Sequence, residues 1–328
     1  MYPHRSRPAR GLSAGVHGNR CHKDIPKADK IRPEALVYEM SHVEVGASGG
    51  EPSAQSRAWS IWLAFCFCCC LGCSEVRDTH ELLDSLLWVQ TSAEYDALVS
   101  TSYRQAGEAL DRALEDPTWS AIPGQAGSVA YLPPAVILDL DETVLDNSAF
   151  EGRLVKQRTT FSPSAWDDWV REANARAVPG ALDFIAQAHS KGVAILFITN
   201  RHAGQESSTR ENLEKLGLPL SKDLDTVLTE GEPPFNWPSD KSSRRQYLAR
   251  RFRILLLIGD DLGDFLPGAR DSPEQRVRLA REHHERWGRS WFLLPNPMYG
   301  SWERSLASPS LSDTDRLSLK RQLTRDAP

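Results

Sequence analysis

Two aspartates, Asp139 and Asp141, close an apolar run within AVILDLDETVLDN, residues 135 to 147. One carboxylate can attack phosphorus while a carboxyl group beside it hands a proton to the departing oxygen, so this pair has the right types for phosphoryl transfer. Ala135 to Leu140 is short, β-branched at Val136 and Ile137, and follows two prolines, which reads as a buried strand of a parallel sheet. Side chains two apart in a strand share a face, so both carboxyl groups are expected to converge just past its carboxyl end, where open α/β sheets bind ligands. Acidic residues also cap strand ends for no reason beyond turn formation, and the pair alone therefore carries limited weight.

Two further apolar runs add to it. Val193 to Thr199 ends in Thr199, Asn200 and Arg201, three groups able to hydrogen-bond an anion, and Ile254 to Gly259 is followed by Asp260, Asp261 and Asp264. Three strands that each release polar groups at one end describe a site assembled from separate parts of a sheet. Carboxylates gathered without a counterion repel, and raised proton affinities or a bound cation relieve this. Oxygen donors without local His or Cys select a hard ion, with magnesium as the expectation. Lys241, which opens KSSRR, has a charge that could neutralise a phosphate beside Asp139.

In this order, DLDETVLDN, TNR, Lys241 and GDDLGDF resemble the four signature motifs of the haloacid dehalogenase superfamily. The combination is similar, more narrowly, to the bacterial lipoprotein acid phosphatases of class C, which act as 5′-nucleotidases. WVQTSAEY from Trp88, RAVPGALDF from Arg176 and LPNPMYGSWE from Leu294 fit that narrower group, and the match runs from about His80 to Leu306. The resemblance implies an α/β fold, a Rossmannoid parallel sheet flanked by helices, with an N-terminal helical arm and a small cap insert at about residues 147–178 that excludes water and sets specificity. It implies Asp139 as nucleophile and Asp141 as acid and then base, with Thr199, Asn200 and Lys241 binding the phosphate. Magnesium would be held by the side chains of Asp139 and Asp260 and the backbone carbonyl of Asp141. Asp264 would support the ion from behind or through a water. Asp261 stands where the family often has Asn, and Asp260 is favoured for the metal because it directly ends the strand.

The same resemblance places the substrate's base or aryl group between Trp166 and Tyr299, where stacking on an aromatic ring is worth about 1–3 kcal/mol per base. Trp166 and Trp169, three apart, read equally well as one face of a core helix, and Phe235 and Trp237 in EPPFNWPS are further stacking candidates.

Residues 1–56 are polar and lack apolar periodicity, so no fold is expected there. Trp59 to Leu71 is an apolar run of 13 residues preceded by Arg57, a length that suits a signal-peptide core and is short for a membrane span. The trailing LGCS resembles a lipobox, making residues 57–73 a signal peptide with Cys73 as the lipidated residue, and Met40 would put that signal at an ordinary distance from a start. All six cysteines, from Cys21 to Cys73, precede the catalytic motifs, so no disulfide is expected in the globular part. A cytoplasmic tail with a signal anchor is the competing reading.

From His80 to about Asp116 the apolar spacing predicts one helix, and residues 118–134 a Gly- and Pro-rich connection. Ala181–His189, Ser207–Leu216, Lys241–Phe252 and Glu274–Trp287 read as helices alternating with strands. Arg244, Arg245, Arg250, Arg251 and Arg253 read as solvated, His202, His283 and His284 as surface residues, and residues 307–328 as a fraying, flexible tail. The net charge of −5 and the lack of a basic cluster exclude a nucleic-acid polymer as partner.

The chain therefore reads as an exported, lipid-anchored, magnesium-dependent acid phosphatase of the outer membrane, facing the periplasm and acting on nucleoside 5′-monophosphates. A broad aryl or sugar phosphate phosphatase, or a surface lipoprotein that captures a ligand with little turnover, are the alternatives. Oligomeric state is left open.

Overall fold

In the computed structural model, which describes residues 80–125, 129–221, 223–307 and 310–326, five parallel strands form the central sheet. They are β1 (Pro134–Leu138), β4 (Ala194–His202), β5 (Val227–Glu230), β6 (Arg253–Gly259) and β7 (Trp291–Leu293), ordered β5-β4-β1-β6-β7. A two-stranded ribbon, β2 (Leu145–Asp146) against β3 (Arg176–Ala177), is antiparallel and brackets the stretch between residues 146 and 176. The chain divides between Glu75 and Val76, and everything described belongs to the second unit. The expected signal segment, Cys73 and every cysteine lie outside the described residues.

Strand alternation decides which side chains face which helices. Val136, Leu138, Ile195 and Phe197 join one core layer, and Ala135, Ile137, Leu196 and Ile198 the other. Both faces are covered, as a parallel sheet requires. In β6 the alternation slips: Ala135 pairs with Ile254 but Val136 with Leu256, so Leu255 is an extra residue, and Leu255 and Leu256 both enter the first layer.

Helices α1 (Leu83–Thr91) and α2 (Ala93–Glu115) stand where the spacing predicts one helix. Ser92 divides them. Its backbone is extended, and its hydroxyl accepts from Tyr95 N at 3.1 Å, so it caps a new helix instead of continuing the old one. Helix α2 buries Val99, Tyr103, Ala106, Leu110 and Ala113 on the first layer. It also reaches the catalytic loop, because the Tyr103 hydroxyl donates to Thr143 O at 2.6 Å.

Between β2 and β3 lie α3 (Ser148–Gln157) and α4 (Pro163–Glu172). Helices α5 (Ala181–Ser190), α6 (Glu206–Lys215), α7 (Ser242–Ala249) and α8 (Pro273–Glu282) follow. The last is shorter than the pattern to Trp287 suggests: His283 leaves helical geometry, bonds Leu279 O at 3.0 Å and stacks on Trp291 with centroids 5.4 Å apart. His283 is thus half-buried rather than a surface residue, whereas His284 and His202 are exposed.

After α9 (Ser301–Arg304), the tail expected to fray contains α10 (Asp313–Leu323). Ser312 caps it by accepting from Asp315 N at 3.2 Å, and Lys320 pairs with Glu81 at 2.5 Å and Glu303 at 2.6 Å. Those ties run to distant parts of the chain, which local composition cannot register.

The arginines read as solvated divide. Arg250 and Arg251 are exposed, but Arg244, Arg245 and Arg253 are buried. Their guanidinium groups serve backbone carbonyls, with Arg253 reaching Asp116 O at 2.6 Å.

Candidate active site

Helix α7 begins at the hub of the site. Lys241, its N-cap residue, is buried, and its ammonium bonds Asp139 Oδ1 and, at 2.6 Å, Asp264 Oδ1. One turn on, Arg244 donates to Thr199 O at 2.5 Å and to Asn200 Oδ1 at 2.7 Å. Its neighbour Arg245 donates to Gly263 O at 2.8 Å and Asp264 O at 2.9 Å. Three cations spaced to share the inner face of one helix thus bind the end of β4 and the loops after β1 and β6 together. Sequence reading took Lys241 for chemistry and missed the other two, although a basic run against buried strands was the available signal.

Asp139 follows β1 directly and is fixed by its N–H to Ile258 O at 3.0 Å. It is buried together with Asp264, the half-buried Asp260 stands beside them, and one oxygen of each of the three lies within 4.8 Å of the others. Burial pushes Asp139 up to about 7; the Lys241 charge opposes this, and those of Asp264 and Asp141 add to it. Asp260 is raised well above the ordinary range by burial and then by Asp139 and Asp264. Burial disfavours the Lys241 charge, but Asp139 and Asp264 outweigh it and hold the ammonium above its ordinary value.

Asp264 returns onto the end of β6 only because residue 259 is glycine: a Cβ there would stand 2.2 Å from Asp264 Oδ2. Both Asp264 oxygens are engaged, Oδ1 by Lys241 and Oδ2 by Asp261 N at 3.0 Å. Of the adjacent pair, Asp260 faces the cluster, and Asn296 Nδ2 donates to its Oδ2 at 2.8 Å. Asp261 turns away and accepts from Gly263 N, Ser301 N and Ser301 Oγ at 2.8, 2.6 and 2.7 Å, pinning the LPNPMYGSWE segment.

The oxygens left loosely held are Asp139 Oδ2 and Asp260 Oδ1, each near the Thr143 hydroxyl at 3.4 and 3.3 Å. Three carboxylates facing one ammonium leave uncompensated negative charge, and the free donors are all hard oxygens. The residues therefore fit a divalent cation.

Asp141 lies outside that cluster. Buried Arg201 donates to its Oδ1 from Nε at 3.0 Å and Nη2 at 2.7 Å, and Asn147 Nδ2 adds a third bond at 2.9 Å. Its Oδ2 has longer contacts, Thr199 Oγ1 at 3.4 Å and Arg201 Nε at 3.3 Å. Arg201, grouped by sequence with the anion binders, is thus committed to a carboxylate. Asn200, also expected to bind phosphate, is exposed, and its amide oxygen accepts from Arg244 Nη2 at 2.7 Å.

The turn that presents Asp141 is tight. Glu142 sits at φ 61°, a left-handed geometry that costs a non-glycine residue about 1 kcal/mol. Its buried carboxylate accepts from Asn147 N at 2.8 Å and Nδ2 at 3.3 Å, which holds the turn closed.

Trp166, on α4, is half-buried against Phe150, with a ring-centroid distance of 5.2 Å, and the Arg201 guanidinium lies 5.4 Å from its ring centroid. Trp169 is a core residue whose indole N–H donates to Asn147 Oδ1 at 2.8 Å. Tyr299 is half-buried beside the first core layer. Phe235 and Trp237 stack on one another at 4.5 Å and lean on Tyr247.

The chain is similar to known proteins in sequence and in fold. The class C acid phosphatase of Bacillus anthracis superposes with a TM-score of 0.68 at 33% identity, over 77% of this chain and 100% of that one. The same enzyme with tungstate bound gives 0.66 at 32% identity, over 77% and 99%. A stem 28 kDa glycoprotein of Glycine max is 30% identical over 166 residues, half of this chain and 58% of that protein. Acid phosphatase 1 of Solanum lycopersicum is 26% identical over 166 residues, again half of this chain and 57% of the relative. The chain thus spans a little over half the length of these curated relatives. The family model for the acid phosphatases of subfamily IIIB matches residues 76–302, and the chain belongs to this branch of the haloacid dehalogenase superfamily.

Proposed function

We propose that this chain is a divalent-metal-dependent phosphomonoesterase that hydrolyses nucleoside 5′-monophosphates through an aspartyl-phosphate on Asp139. The observation that carries the reading is that two aspartates two residues apart are held by different cations, Lys241 on Asp139 and Arg201 on Asp141. Lys241 favours the ionised Asp139 needed for attack. Asp139 forms a bond to phosphorus as the bond to the leaving oxygen breaks, and that oxygen takes the proton of Asp141. Asp141 then removes a proton from water, which attacks phosphorus and restores the Asp139 carboxylate with release of phosphate. Thr199 and Lys241 stabilise charge on the phosphoryl oxygens.

Asp139 and Asp260, with the backbone carbonyl of Asp141, would hold magnesium, and Asp264 adds negative charge from behind. When bound, the ion supplies positive charge against the phosphate oxygens. The tungstate bound to the Bacillus anthracis relative supports an oxyanion site in the family. The α3–α4 insert acts as the cap, with Trp166 and Tyr299 as the aromatic surfaces for the base.

The test is phosphate release by the purified chain from a panel of nucleoside 5′-monophosphates, a sugar phosphate and an aryl phosphate, with magnesium or with chelator. Fastest release from nucleotides, lost on chelation, is the expected result. Equal rates across the panel would instead indicate a broad phosphatase, and binding without turnover a capture protein. Export and lipidation at Cys73 belong to the same reading, and the mass of the mature N-terminus tests them. Among the described residues no helix is long and apolar enough to cross a membrane.

A further inference from the structure

Two hydrogen bonds in series link the cap to one oxygen of Asp141, from Trp169 Nε1 to Asn147 Oδ1 and from Asn147 Nδ2 to Asp141 Oδ1. Resting on the reading of Asp141 as the acid, we infer that Arg201, Asn147 and Trp169 form a positioning relay that orients this carboxyl group and confines its proton to Oδ2. Three N–H donors converge on Oδ1: Arg201 Nε at 3.0 Å, Arg201 Nη2 at 2.7 Å and Asn147 Nδ2 at 2.9 Å. A proton on Oδ1 would point at hydrogens. Oδ2 has only longer contacts, at 3.3 and 3.4 Å, and lies on the Thr199 side, so the acid form carries its proton there.

The orientation of Asn147 is itself determined. An amide can be turned end for end at little intrinsic cost, but an indole N–H only donates. Trp169 Nε1, 2.8 Å from Asn147 Oδ1, therefore keeps the amide oxygen toward α4 and its NH2 toward Asp141. Arg201 Nη2 approaches the same amide oxygen at 3.4 Å, which favours the same orientation. Arg201 is anchored in turn by Nη1 to Thr209 Oγ1 at 3.2 Å. The side chain of Gln205, beside α6, ties Asp167 of α4 at 2.5 Å, so two bonds fix the cap helix relative to the acid.

Proton traffic then balances at a single atom. Oδ2 gives its proton to the leaving oxygen as Asp139 bonds to phosphorus, and recovers one from the attacking water as the Asp139–phosphorus bond breaks. A relay of this kind matters most when the leaving oxygen is a poor leaving group, because only then is protonation limiting.

The experiment compares an alkyl ester, a nucleoside 5′-monophosphate, with an aryl ester, p-nitrophenyl phosphate, in Arg201→Lys, Trp169→Phe and Asp141→Asn. Arg201→Lys keeps the charge and loses the fork, and Trp169→Phe keeps an aromatic ring in the core while losing the N–H together with the second ring of the indole. On the alkyl ester kcat should fall about 30-fold or more for Arg201→Lys and about 5-fold for Trp169→Phe. On the aryl ester kcat should fall less than about 3-fold, and KM should move less than about 2-fold for both substrates. Adding Arg201→Lys to Asp141→Asn should slow the enzyme no further, since both act through one group.

Equal losses on the two esters, a change confined to KM, or a further drop in the double variant would overturn the relay. If Asp141→Asn itself shows no leaving-group dependence, the acid reading fails instead. If it does and both relay variants match the parent enzyme, the relay alone fails. Should Arg201→Lys not fold, Trp169→Phe decides the matter.

Discussion

Asp139 and Asp141 are separated by one residue and occupy opposite kinds of surroundings. Asp139 is enclosed with Asp260 and Asp264, touches one ammonium and is pushed up to about 7 by burial. Asp141 is 19% exposed at its side chain and faces a buried guanidinium and an amide. The difference teaches how one short loop prepares two roles: one carboxylate is surrounded by negative charge that a cation can relieve, and the other is oriented by directional donors. Breaking either arrangement should produce its own signature.

The largest effect is expected at Asp139. Asp139→Asn keeps the shape and removes the attacking oxygen's charge, so kcat should fall on the order of 10⁴-fold or more for alkyl and aryl esters alike. Mass spectrometry of acid-quenched parent enzyme should detect the phosphorylated peptide containing Asp139, and its absence from Asp139→Asn completes the test. Appreciable turnover by the variant would rule out the covalent route.

Asp260 and Asp261 offer a second contrast one bond along the chain. Asp260→Asn removes charge from the cluster and should cost about 100-fold or more in activity while weakening magnesium dependence. Asp261→Asn touches the bonds to Ser301 and Gly263, so it should lower the melting temperature by a few degrees, at about 1 kcal/mol per hydrogen bond, with activity reduced less than about 10-fold. Reversal of that order would move the cation to Asp261.

The cluster also sets a pH dependence. Asp139 and Asp260 are raised in the folded chain above the ordinary carboxyl value of about 4, so between about pH 4 and 7 the folded state binds more protons than the unfolded one. Stability therefore falls as pH rises through that window and stays low above it. In chelator the melting temperature should drop by about 5 °C or more from pH 5 to 7.5. Magnesium should shrink that drop, because the ion takes the place of the protons. A melting temperature that rises with pH in chelator would mean that the cluster is already compensated.

Much of this arrangement was legible in the residues. The apolar runs ending at Leu140, Thr199 and Gly259 are neighbouring parallel strands, and the polar groups that close them meet at their carboxyl ends. Periodicity reports burial, so it located strands and helices well and their limits less well. Thr199 to His202 continue β4, and Ser92 breaks a helix that apolar spacing carries straight through. What the pattern could not show was pairing at a distance. Arg244 and Arg245 resemble any basic helix face until the carbonyls of Thr199 and Asp264 are placed against them. Trp169 reads as core, which it is, and only the partner of its N–H reveals a second role. The same holds for α10, where Lys320 reaches Glu81 across the chain.

A third carboxylate sharpens the comparison by lacking the help that the first two receive. Glu151, on α3, is buried, and its carboxyl is pushed up to about 7 by burial and then by the charge of Glu303. It lies outside the carboxylate cluster, so magnesium should leave it unaffected. Raised from an ordinary value of about 4.3, it penalises the folded state progressively between about pH 4 and 7 and fully above that. Glu151→Gln removes the titrating charge at nearly constant volume. Urea unfolding should find the variant more stable than the parent by about 1–2 kcal/mol at pH 8 and equal to it within about 0.5 kcal/mol at pH 4.5, in magnesium and in chelator alike. Should the gain at pH 8 vanish when magnesium is added, Glu151 would belong to the ion's surroundings after all, and the separation between cap and cluster drawn from the geometry would fail.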